Sequence, residues 1–175
     1  MPHTRTGETF PPFLVLGLGN VLRQDEGAGL HVLRRLEKGG FDEDGVQLLD
    51  GGTGGLHLVG ELAGREGLVV VDAADLGAVP GTVRILAGEE MERFVNRPSG
   101  WNVHDVGLPD LFAAAALLPE GLPSRRAVVA IQPAGFEWSA QPSAPVGGAL
   151  PEAVRLVRRQ IAAWQAAGVP ERVGQ

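Results

Sequence analysis

Short runs of apolar residues recur along the chain and are separated by polar, glycine-containing stretches. The runs at residues 13–18, 46–49, 68–71 and 127–131 are typical of strands that are buried on both faces of a parallel sheet. Residues 82–86 alternate between apolar and polar side chains, which predicts a fifth, half-exposed strand. The chain link that precedes this strand is short, so the strand could run antiparallel, at or near an edge of the sheet.

Between the predicted strands, apolar positions recur at helical spacing. This pattern predicts helices at residues 26–38, near 56–63, at 104–118 and at 151–167, the last with Pro151 at its start. Strands that alternate with helices favour an α/β fold. We expect a three-layer sandwich in which a mostly parallel five-stranded sheet carries helices on both faces.

The length of 175 residues, with 44% hydrophobic and 21% charged residues, fits one globular domain. We expect a single domain over residues 1–175, with an ordered core at about 13–168 and flexible ends. The net charge of -6 comes without a long basic run, which argues against nucleic acid or a membrane surface as partner. No apolar run has the length of a signal peptide or a membrane span, which favours the cytoplasm.

Several kinds of chemistry are excluded by what the sequence lacks. Without cysteine there is no zinc–thiolate site and no thiol nucleophile, so a metal would need His, Asp or Glu ligands. There is no HExxH, GxSxG or P-loop motif. Gly17 and Gly19, with Asp50 after the second strand, imitate a dinucleotide-binding fingerprint. That fingerprint is incomplete, because Leu22 stands at its third glycine and neighbouring acids would repel a pyrophosphate.

Two adjacent acids, Asp25 and Glu26, lie in the loop after the first predicted strand. A carboxylate at the start of a helix binds free backbone N–H groups and suits the positive end of the helix dipole. One acid is enough for that role, and we assign it to Asp25. Glu26 is then free to point into the mouth of the sheet.

Asp72 ends the third predicted strand, and His104 stands at the start of a later helix. In parallel sheets, functional residues gather at the carboxyl ends of the strands. Glu26, Asp72 and His104 would supply two oxygen ligands and one nitrogen ligand to a divalent ion, with positions left open. The residue types alone leave such a metal site and ordinary structural roles both open.

Five motifs in order resemble the hydrogenase maturation endopeptidases. They are Gly17-Leu-Gly-Asn20 with Asp25-Glu26-Gly-Ala-Gly29, Asp50-Gly-Gly-Thr53, Val70-Val-Asp72-Ala, Pro80-Gly81-Thr-Val and His104-Asp-Val-Gly-Leu108. The resemblance covers roughly residues 13–165. It implies that Glu26, Asp72 and His104 together bind metal, although the family often has Asp where this chain has Glu26.

The resemblance further implies a peptidase that removes a C-terminal extension from the nickel-loaded precursor of the [NiFe]-hydrogenase large subunit. Nickel is then recognised in the substrate, and no tightly held metal of the protein's own is expected. The motifs do not fix the group that cleaves the peptide. As a hypothesis, Asp50 lines the cleft for the substrate tail; unchanged processing by Asp50→Asn would refute it. The alternatives are a nucleotide-binding Rossmann-like oxidoreductase and a non-catalytic metalloprotein chaperone.

Overall fold

The computed structural model describes residues 4–5, 8–41, 45–97 and 107–168. Two short strands near the start of the chain pair antiparallel, and five further strands form the central sheet. The strands are β1 (Thr4–Arg5), β2 (Glu8–Thr9), β3 (Phe13–Gly17), β4 (Val46–Asp50), β5 (Gly67–Ala73), β6 (Val83–Ala87) and β7 (Arg125–Ile131). The α-helices are α1 (Ala28–Lys38), α2 (Val59–Leu62), α3 (Gly88–Val95), α4 (Leu108–Ala116) and α5 (Ala144–Ala166).

The central sheet has the strand order β4-β3-β5-β7-β6. Strands β4, β3, β5 and β7 are mutually parallel, and β6 pairs antiparallel with β7 at one edge. The predicted mostly parallel five-stranded sheet with one antiparallel edge strand is therefore confirmed. Strands β1 and β2 precede residue 13, where the sequence placed the start of the ordered core, and the predicted flexible segment 170–175 lies outside the described residues.

Side chains of the strands alternate between two apolar clusters, one on each face of the sheet. Val15, Val69 and Val129 point to the face covered by α1 and α5. Leu16, Val70 and Val128 point to the opposite face, which α2, α3 and α4 cover. Because successive strand residues face opposite sides, a run of apolar residues fits only a sheet covered on both faces. The three-layer sandwich is confirmed.

Helix α5 begins at Ala144 and not at Pro151, so the predicted start is wrong. The Ser143 side chain caps the helix by accepting a hydrogen bond from the Val146 backbone N–H at 3.5 Å. Pro145 occupies the first turn, where a missing N–H is harmless. Pro151 lies inside the helix on its exposed side, so the proline that marks the start is the earlier one.

The helix limits elsewhere differ from the prediction in smaller ways. Helix α1 begins at Ala28 and follows a 3₁₀ turn at Gln24–Gly27. Helix α3 is not foreseen, because it is short and buries only Met91 and Val95. Helix α4 is confirmed from Leu108 onward, and its predicted start at His104 lies outside the described residues. Within the described ranges, no helix is long and apolar enough to cross a membrane.

Candidate functional site

The carboxyl ends of β3, β4, β5 and β7 lie at one edge of the sheet, from which four loops emerge. We call residues 18–27 the first loop and residues 132–143 the last loop. In the strand register, Gly17 pairs with both Asp50 and Val71, so Asp50 and the neighbouring Asp72 reach the same edge. Asp72 is the second-to-last residue of β5.

Glycines press the first loop against the strand ends. A Cβ atom at Gly19, where φ is 127°, would lie 1.7 Å from the carbonyl oxygen of Glu26, and one at Gly29 would lie 2.2 Å from that of Val71. No side chain larger than hydrogen fits at such distances. Gly19, one of the two glycines that resemble a dinucleotide fingerprint, therefore has a packing role, because it lets the Glu26 backbone approach the end of β3. Gly29, in α1, allows a similar close approach to the end of β5.

Two carboxyl groups meet at this edge. Burial, opposed by a hydrogen bond from the Ala73 backbone and aided by the nearby Glu26 carboxylate, raises the pKa of the Asp72 carboxyl to about 8. The Glu26 side chain is 15% exposed. A carboxyl whose charged form is disfavoured by its surroundings is stabilised in that form by a cation that arrives beside it.

Asp25 does not cap a helix, so its predicted role is wrong. It is fully buried, and neither the 3₁₀ turn nor α1 has a side-chain cap. Its Oδ2 atom instead accepts hydrogen bonds from the backbone of Ala134 at 2.8 Å and of Gly135 at 3.3 Å. The Ser143 backbone donates to Oδ1 at 2.7 Å and the Ser143 hydroxyl to Oδ2 at 2.8 Å. Asp25 thus ties the first loop to the last loop.

Arg23 forms an ion pair with Glu26, with 3.2 Å between Nε and Oε2. Its guanidinium also donates to the Phe136 carbonyl at 3.3 Å and lies over the Trp138 ring, 5.9 Å from the centroid. The main chain is held as well, since the Gln24 N–H donates to the Ser139 carbonyl at 2.8 Å. Arg23 was not predicted to belong to the site, although its position three residues before Glu26 was a signal for an ion pair.

The Asp50 side chain is exposed, and its Oδ1 atom accepts a hydrogen bond from the Gly52 N–H at 2.8 Å. This is an Asx turn, which shapes the loop after β4. Gln132, directly after β7, fixes the loop that follows β5. Its side-chain oxygen accepts hydrogen bonds from the Leu76 N–H at 2.6 Å and the Ala78 N–H at 3.3 Å. The loops beside the two acids are therefore fixed by polar side chains.

His104 lies outside the described residues, so the predicted ligand set is only partly visible. The structure brings Glu26 and Asp72 together. In the part of the chain that the structure describes, no cluster of three or more His, Cys, Asp or Glu side chains is poised to hold a metal.

Large exposed apolar side chains lie on the segments that leave this edge of the sheet. The described residues include five exposed large apolar side chains, and four of them lie on the loops at this edge. We call this set the apolar rim: Leu22, Leu56, Val79 and Trp138. The fifth, Leu117, lies beyond the end of α4, on the chain segment that leads to the amino end of β7. Exposed apolar groups that gather around a cleft mark a surface for binding partners.

The fold and this edge define an α/β protein with two neighbouring carboxyl groups and exposed apolar side chains where the parallel strands end. The family model for hydrogenase maturation proteases matches residues 30–160. The chain belongs to the hydrogenase maturation protease family.

Individual relatives agree with that assignment. The chain is 34% identical to the hydrogenase expression/formation protein HupD of Rhizobium leguminosarum bv. viciae, over 88% of this chain and 76% of that protein. It is 37% identical to the hydrogenase 2 maturation protease of Escherichia coli K12, over 71% of this chain and 74% of that protein.

Its structure is similar to that of the hydrogenase maturating endopeptidase HybD from E. coli, with a TM-score of 0.73 and 32% identity. The match covers 93% of this chain and 99% of the other. The chain is therefore an endopeptidase of hydrogenase maturation, and the oxidoreductase and chaperone alternatives are not supported.

Proposed function

We propose that the protein removes the C-terminal extension of a nickel-loaded [NiFe]-hydrogenase large-subunit precursor. The observation that carries this proposal is the position of Glu26 and Asp72 at the same edge of the sheet, where burial and the nearby Glu26 charge disfavour ionised Asp72 until a cation arrives. Nickel arrives as part of the substrate. The protease then acts only on a precursor that already holds its metal.

In this proposal Glu26 and Asp72 bind the substrate's nickel through carboxylate oxygens, and His104 adds a nitrogen ligand. A divalent ion can polarise a carbonyl or lower the pKa of a bound water. Because Asp72 has a raised pKa, it releases its proton as the ion arrives. Asp50 remains the candidate for contact with the substrate tail, and the group that cleaves the peptide is left unassigned.

The test is to incubate the protein with nickel-loaded and apo precursor and to measure the mass of the precursor's C-terminus. We expect a mass loss only from the loaded form. Equal loss from both forms would refute recognition of the metal. Stoichiometric binding without any loss of mass would point to a chaperone.

The apolar rim supports a protein as the substrate, because a small molecule needs no exposed apolar surface outside the cleft. Trp138 is its most exposed member, at 80%. We expect Trp138→Ser to raise the precursor concentration for half-maximal processing by about 10- to 30-fold, since buried tryptophans dominate protein interfaces. Initial rates at a series of precursor concentrations measure this effect.

Leu117→Ser is the matched control, because Leu117 is 86% exposed but does not belong to the apolar rim. It should leave the concentration dependence unchanged. If the two variants behave alike, the apolar rim does not contact the precursor.

A further inference from the structure

We propose that Arg23 is a resident counter-cation for Glu26, which keeps the free protease from taking up dissolved divalent metal. Metal held by the substrate displaces it when the precursor docks. This inference rests on the proposed function, because it requires Glu26 to be a ligand. It assigns Arg23 a role in choosing between free metal and metal carried by the precursor.

The position of Arg23 is fixed from several sides. Its guanidinium reaches Glu26, the Phe136 carbonyl and the Trp138 ring at once. The backbone on both sides is bound to the last loop, through hydrogen bonds from Ser139 to Leu22 at 3.0 Å and from Gln24 to Ser139 at 2.8 Å. Gln24 has a φ of 47°, the only positive value among the non-glycine residues that the structure describes. The cation is therefore held beside the acid by the fold.

The pair itself is poorly bonded. Among the described residues, Arg23 Nε and Glu26 Oε2 are both buried without a hydrogen-bond partner, although 3.2 Å separates them. Their attraction is thus one of charge, without the aligned hydrogen bond that would fix it. A guanidinium that is held only by charge attraction can be displaced by a divalent metal ion that binds the same carboxylate oxygen.

Removal of Arg23 should therefore increase the affinity for metal. A positive charge within a few ångströms of a carboxylate disfavours a second cation there, and partial exposure moderates the effect. The Arg23 side chain is 43% exposed against 15% for Glu26. We expect Arg23→Gln to bind Ni²⁺ about 10-fold more tightly than the unmodified protein.

The experiment is calorimetric titration of Ni²⁺ into the full-length protein, without precursor. Arg23→Lys keeps the competing charge and should match the unmodified protein. Arg155→Gln is the control for loss of one positive charge, since Arg155 pairs with Glu152 at the same i,i+3 spacing on the exposed side of α5. It should also leave the affinity unchanged.

Affinity of Arg23→Gln equal to or below that of the unmodified protein, or no measurable binding, would overturn the proposal. If Arg23→Gln fails to fold by circular dichroism, Arg23→Met, which keeps an unbranched apolar stem, takes its place under the same criterion. Glu26→Gln, assayed with nickel-loaded precursor, separates the two claims. Normal processing by Glu26→Gln refutes the proposed role of Glu26, whereas unchanged Ni²⁺ affinity in Arg23→Gln, or in Arg23→Met if that variant takes its place, refutes only the counter-cation.

Discussion

Asp72→Asn should reduce processing of nickel-loaded precursor by more than about 100-fold, because the proposed function makes Asp72 a direct ligand, whose loss exceeds the 10- to 100-fold typical of outer-shell groups. The same change should leave the melting temperature unchanged or raise it by about 2–6 °C. The reason is that Asp72, partly buried beside Glu26, must keep a proton in the folded state that the unfolded chain releases, and the amide removes this cost while keeping the shape. Mass analysis of the precursor and calorimetric melting of the protease measure the two effects.

The pH dependence of stability gives this prediction a second test. In the folded protein the pKa of Asp72 is about 8, against 3.8 as its ordinary value. Between these values the folded state keeps a proton that the unfolded chain has released, so this carboxyl makes stability fall as pH rises. Urea unfolding with a chelator present should show that Asp72→Asn gains stability over the unmodified protein from about pH 4 to about pH 8.

Glu120→Gln is the control for both measurements, because Glu120 is an exposed acid in the loop after α4, away from the start of a helix. It should change neither processing nor the pH dependence. Full processing by Asp72→Asn would show that Asp72 is not a ligand, and a pH profile parallel to that of the unmodified protein would show that its pKa is ordinary.

Asp25→Ala should destabilise the fold by about 3–5 kcal/mol, the range observed when one partner of a buried charged network is removed. The change leaves the N–H groups of Ala134, Gly135 and Ser143 and the Ser143 hydroxyl without their acceptor. For a chain of this length we expect a fall in melting temperature of roughly 6–20 °C. Processing should fall too, because Glu26 is the next residue.

Glu120→Ala changes an exposed acid in the loop after α4 and should stay within about 0.5 kcal/mol of the unmodified protein. The loss of stability in Asp25→Asn should lie between the losses in Asp25→Ala and Glu120→Ala. The amide oxygen can still accept hydrogen bonds, but the amide NH₂ group would face N–H or O–H groups that are also donors. A small loss in Asp25→Ala would mean that water replaces the carboxylate.

The fold was largely predictable because β3, β5 and β7 are apolar at every central position, which fits only strands buried on both faces. The errors in the helix limits arise where one local sequence pattern is compatible with two structures. Pro151 suggested a helix start, whereas Ser143 with Pro145 provides the real one. Helix α3 buries too few residues to show a clear period.

The site was predictable where it follows from topology and unpredictable where it depends on distant contacts. Glu26 and Asp72 meet because parallel strands end at one edge, which the strand pattern already implied. The partners of Asp25 are 109 to 118 residues away, so a capping role was the only local interpretation of that acid. The same distance concealed the contact of Arg23 with Phe136.

The link between Asp25 and Ser143 spans 118 residues and has a consequence for biosynthesis. A nascent chain that has emerged only as far as β6 already contains Glu26 and Asp72, but Asp25 has no partners and the first loop no support. Contacts between such distant segments form late in folding. A chain that stops before residue 143 therefore cannot form the full set of contacts that holds the first loop, with Glu26, against the last loop.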